Sequence, residues 1–136
     1  MPGQIVVLMA TAIIERNGKY LVLRRSNNNI TNKGKWQFPE GKVKFGEDVV
    51  KTLKREVEEE TNLVAVNPRM FGIHSSILKE ANRAFRVFRT VFKCRTLGKI
   101  KLSKDHSEFA WVSRKDMAKM DFIEGFNFND VISVKR

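Results

Sequence analysis

GKVKFGEDVVKTLKREVEEETNL, residues Gly41 to Leu63, sets a glycine loop before a helix that is dense in glutamate. At about 100° per residue, Val49, Val50, Leu53 and Val57 fall within one arc of about 100°, the width of a core-facing stripe. Lys51, Lys54 and Glu58 point the other way, to water. Glu56, Glu59 and Glu60 stand at i, i+3 and i+4 on one border of the stripe, where side chains are neither fully buried nor freely solvated. Three carboxylates are thus expected to converge.

Like charges at these spacings weaken a helix by a few tenths of a kcal/mol per pair, and a bound divalent cation is the natural compensation. Carboxylate and carbonyl oxygens suit a hard ion, Mg²⁺ or Mn²⁺, which keeps several waters and is completed by substrate phosphates. The plain alternative is a solvated acidic face.

The whole stretch resembles the Nudix box. Its fixed positions read here as Gly41, Glu47, Arg55, Glu56, Val57, Glu59, Glu60 and Leu63, with Asn62 where the family has glycine. Asn is the usual second choice for the left-handed residue after a helix end, so the exchange is conservative in backbone terms. The lead-in Trp36, Gln37, Phe38, Pro39 is also similar to the family's, although Glu40 replaces a glycine often found before Gly41. The resemblance runs over roughly residues 4 to 113.

The resemblance implies an α/β fold, the Nudix α/β/α sandwich with a mixed sheet. It implies hydrolysis of a nucleoside diphosphate linked to another moiety, with water attacking a phosphorus and Mg²⁺ or Mn²⁺ bridging phosphate oxygens. On this basis Glu56, Glu59 and Glu60 are metal ligands, joined by the carbonyl of Gly41, while Arg55 and Glu47 orient them. Glu56, Asp105 and Glu108 are the candidates for general base, Glu56 first because it lies inside the motif. The compact length and the Arg24, Arg25, Ser26 segment look like small MutT-type nucleoside triphosphate pyrophosphatases, the preferred reading. Trp36 to Pro39 is similar instead to enzymes acting on dinucleoside polyphosphates and 5′-triphosphate RNA. A catalytically silent module that binds nucleotide or RNA is the competing class.

Around this centre the 136 residues, 42% of them hydrophobic, are expected to form a single domain over 1–136 with one core. The lone cysteine, Cys94, excludes an internal disulfide and points to a reducing, cytoplasmic setting. The apolar run Ile5 to Ile14 is too short to span a bilayer; a buried strand is expected, with no membrane partner. The formal charge is +11. Glu47 to Glu60 holds six of the fifteen acids, and Lys79 to Lys104 holds nine bases against Glu80 alone. Such a surface attracts polyanions, so the partners are a nucleotide substrate and, from charge alone, RNA. Arg89 and Lys93, on one face of a strand, are placed to meet a polyphosphate or an RNA tail. The chain is expected to be a monomer or a homodimer.

Asn17-Gly18 between apolar runs predicts a hairpin, and Asn27 to Gly34 a connecting loop. Val64 to Val66 and Phe71 to Ser76 are expected as short strands, and Phe85 to Cys94 as a longer one covered on both faces. Leu102 to Val112, containing Glu108 and then Trp111, is similar to the family's Glu-x-x-Trp segment. Ser113 and Asp116 predict a capped helix through Met120, and a last helix is expected over Asn127 to Val134. Neither His74 nor His106 belongs to the box, and His106 is expected in an exposed loop. Phe122, Phe126 and Phe128 are expected to be buried against the sheet.

Overall fold

The computed structural model describes residues 4–80 and 82–126. Strand β1 (Gln4–Arg16) turns at Asn17-Gly18 into β2 (Lys19–Arg25). Both turn residues have positive φ, 52° and 75°, the conformation a two-residue hairpin requires. Short strands β3 (Trp36–Gln37) and β4 (Glu40–Lys42) then lead to helix α1 (Val49–Thr61). The chain continues through β5 (Val64–Glu80), β6 (Arg83–Leu97), β7 (His106–Val112) and a short α2 (Arg114–Met117).

The sheet is mixed. β1 runs parallel to β6 from Gln4↔Ala84 to Ile14↔Cys94, while the other pairings between these strands are antiparallel. β4, β1, β6 and β5 form one sheet; the far end of β1 crosses into a second with β2, flanked by β3 and β7. Because strand side chains alternate, β1 and β6 feed two cores. Ala10, Ala12, Ile14, Phe92 and Cys94 pack under Leu53 and Val57 of α1, whereas Ile13 and Val91 pack with Phe38, Met117, Phe122 and Phe126 on the opposite face. The sheet therefore lies between α1 and the segment around α2, an α/β fold with helices packed on a mixed sheet.

Several elements differ from the sequence expectation. β5 is one strand of 17 residues instead of two short ones. Asn67-Pro68 does not end it, because a bulge with Asn67 at φ 49° absorbs the extra residue. Helix α2 stops at Met117, short of Met120. Val50 is 36% exposed, since burial along α1 deepens toward its end, at Leu53, Val57 and Thr61. Asp48, one residue after Glu47, is the N-cap and accepts from the Lys51 N–H at 2.8 Å. Asn62 closes α1 in the left-handed conformation, φ 65°. Phe122 and Phe126 are buried as expected; the helix expected over Asn127 to Val134, with Phe128, lies outside the described residues.

Candidate active site

α1 and β4 together build the centre. Gly41 pairs with Ala10 on β1, and its bare α-carbon is where the Glu56 carboxyl rests: a Cβ added at Gly41 would overlap the Glu56 carboxyl carbon. The neighbouring Glu40 N–H donates to Glu60 Oε1 at 3.1 Å. A glycine and a main-chain amide of one short strand thus position two carboxylates from successive turns of the helix.

Arg55 organises the outer side. Its Nε and Nη2 make a bidentate pair with Glu47, 3.0 and 2.9 Å, while Nη1 reaches Glu56 Oε1 at 2.7 Å and Glu59 Oε2 at 3.3 Å. Two-pronged guanidinium–carboxylate bonds are strong and geometrically specific. The bond from Arg55, with help from the Thr52 hydroxyl at 2.6 Å, pulls the Glu47 carboxyl down to about 2. Arg55 is pushed above its ordinary range by Glu47 and Glu56, so it stays charged at any working pH.

Glu56 and Glu60 behave oppositely. Removal from water raises both, Glu60 well above the ordinary carboxylate range, and their mutual repulsion adds to it at Glu60. Arg55 partly offsets the rise at Glu56. Glu59 is the open member, its side chain 57% exposed.

The three carboxylates do not converge as the helical spacing suggests. Among the described residues no group of three acids, histidines or cysteines is gathered tightly enough to hold an ion as it stands. Repulsion explains this: Glu56 and Glu59 turn to Arg55, and Glu60 turns inward to the Glu40 amide. The donor set nonetheless fits a hard cation. All its atoms are oxygens, and two of the carboxylates, Glu56 and Glu60, are partly buried and raised by loss of water.

The other candidates lie apart from α1. Glu108 is on β7, in a half-exposed ion pair with Arg24 of β2 at 3.0 Å. Asp105 lies just before β7, its carbonyl accepting from the Ser26 and Asn29 amides, which ties loop 26–34 to the turn at 103–105. His106 is not in an exposed loop; it opens β7, buried, with neither ring nitrogen bonded to a described residue. Burial lowers it to about 4, aided by Arg25.

Arg89 is the larger correction. It does not face solvent with Lys93 but sits 3% exposed on the Glu40 carboxylate, Nε to Oε1 at 2.9 Å, with Thr11 donating to the same oxygen at 2.8 Å and the ring of Phe126 5.4 Å away. A buried charge needs a partner, and Glu40 supplies it. The signal was present in the sequence: a lone arginine between Val87 and Val91 on an apolar strand face, and an acid where the family often has glycine.

A glycine, a main-chain amide and an arginine holding a row of helical glutamates are set on a mixed sheet between helices, an α/β class of protein. The comparisons narrow this to one family. Residues 6–129 match the NUDIX domain, and the chain belongs to that family as a MutT-type member. It is 31% identical over 111 residues to the ADP-ribose pyrophosphatase of Methanocaldococcus jannaschii, an alignment covering 81% of this chain and 63% of that protein's length. It is 23% identical over 117 residues to the nucleoside triphosphatase NudI of Escherichia coli O139:H28, covering 80% of this chain and 83% of the relative. The crystal structure of the MutT protein from Methanosarcina mazei Go1 superposes with a TM-score of 0.79 at 30% identity, over 96% of this chain and 93% of that one.

Proposed function

We propose that this protein is a divalent-metal-dependent pyrophosphohydrolase of small nucleotides, cleaving a nucleoside triphosphate or a related nucleoside diphosphate derivative. The seating of Glu56 on Gly41 and Arg55, with Glu60 on the Glu40 amide, carries this reading. Glu56, Glu59, Glu60 and the Gly41 carbonyl are the residues to hold Mg²⁺ or Mn²⁺. When bound, the ion neutralises diphosphate charge and lowers the pKa of a coordinated water. Glu47 keeps Arg55 in place, and Arg55 aligns Glu56 and Glu59. Glu56 is the favoured general base, because it is the one of Glu56, Asp105 and Glu108 that lies in the motif against Gly41 and Arg55.

The named activities of the relatives, ADP-ribose and nucleoside triphosphate hydrolysis, set the substrate panel. Among the described residues no helix is long and apolar enough to cross a membrane, and the buried Cys94 thiol, raised to about 11 by loss of water, is in keeping with a structural role in a reducing compartment.

The test is turnover of a nucleotide panel with Mg²⁺, scoring released phosphate or pyrophosphate. Activity is expected to vanish in EDTA and to fall on the order of 10²-fold or more in Glu60→Gln with the fold intact. Undiminished turnover in chelator, or in the variant, would refute the assignment.

A further inference from the structure

The basic segment is divided by the fold, and two of its cations, Lys93 and Arg95, lie on the sheet face opposite the glutamate helix α1. Phe92 and Cys94 face α1, so Lys93 and Arg95, which alternate with them, face the other side of the sheet. There they line an open groove of about 780 Å³ with Arg69, Glu15 and Asn67. Arg69 is the direct cross-strand partner of Lys93. A regular ladder continuing from Val66↔Arg95 would set Pro68 opposite Lys93; the bulge at Asn67 brings Arg69 there instead. Bulges re-aim side chains, and this one places two cations face to face, an arrangement that weakens a sheet. Glu15, the acid lining the groove, bonds the Tyr20 hydroxyl. Lys93 Nζ is fixed 4.4 Å from the Phe71 ring centroid. Among the described residues, three exposed cations in a concave site therefore share one acid that is already engaged.

We propose that this groove, formed by Arg69, Lys93 and Arg95, binds the phosphate backbone of a single-stranded nucleic acid. Lys93 and Arg95, two apart on one strand, are separated by about 7 Å, comparable to successive phosphates of an extended single strand. A recessed site admits one strand more readily than a duplex or a flat acidic membrane.

The test measures fluorescence anisotropy of a short single-stranded oligoribonucleotide without a 5′-triphosphate, over a range of salt. It needs no turnover, so it stands or falls separately from the proposed hydrolysis. Contact with three phosphates gives a slope of log affinity against log salt of about −2, at about 0.7 per phosphate. Arg69→Gln/Arg95→Gln is expected to cut affinity about tenfold or more at low salt and to flatten the slope to about −0.7, with nucleotide turnover unchanged. Arg69→Lys/Arg95→Lys, which keeps the charge, should bind as the parent does. Equal affinity and slope in the Gln variant would overturn the proposal. So would loss of binding in the Lys variant, equal binding of a duplex, or tighter binding to vesicles containing acidic phospholipid than to the oligonucleotide.

Discussion

Gly41 is chosen for what it lacks. Its missing side chain leaves the space that the Glu56 carboxyl fills, so a methyl there collides with the end of a flexible side chain and not with backbone. Gly41→Ala is therefore expected to keep the fold, with Tm within a few degrees of the parent, while swinging Glu56 away and lowering kcat on the order of 10²-fold. Equal turnover in the variant would mean that Glu56 works from elsewhere. Glu56, Glu59 and Glu60 were legible because i, i+3 and i+4 spacing is a local matter. Their actual orientations were not, since these depend on Arg55 and on an amide from β4. Glu40 and Arg89, 49 positions apart, were legible only as two oddities whose mutual solution lay in the fold.

At the scale of elements, neighbouring acids at the start of α1 have separate duties. Asp48 caps the helix and touches nothing in the carboxylate row; Glu47 holds Arg55. Asp48→Ala is expected to reduce stability by about 1 kcal/mol with turnover close to the parent's. Glu47→Ala should lower turnover far more than Asp48→Ala, because it releases the guanidinium that aligns Glu56 and Glu59. Urea titrations beside kcat/KM for the two variants check this, and a reversed ranking would remove Glu47 from the site. The hairpin, the caps and the buried alternation of β6 were readable because each is set by a few consecutive residues. β5 was read as two pieces because Asn67-Pro68 carries a break signal, and only its pairing with β6 turns that break into a bulge.

For the molecule as a whole, His106 gives stability a specific acid limit. Its folded value is about 4 against an ordinary 6.5, through burial first and Arg25 second. The unfolded chain therefore binds the proton more readily. The neutral ring's contribution is fully present above pH 6.5 and is lost as pH falls toward about 4, at up to about 1.4 kcal/mol per pH unit. Stability measured by urea unfolding across this window is expected to fall less steeply in His106→Gln than in the parent. Parallel curves would show that His106 does not set the limit.

The parallel register of β1 and β6 has a consequence in time. Residue 4 faces residue 84, so at about 5–20 residues per second of synthesis β1 waits roughly 4–16 seconds for its neighbour to be made. Throughout that interval β1 has only local antiparallel partners, β2 at Glu15 and Arg16 and later β4 from Met9 to Thr11, and its stretch from Gln4 to Val7 is an unpaired edge open to other chains. Asn17-Gly18, which closes the β1–β2 hairpin, thus anchors the newborn chain before Gly41 or any glutamate of α1 has been added to it.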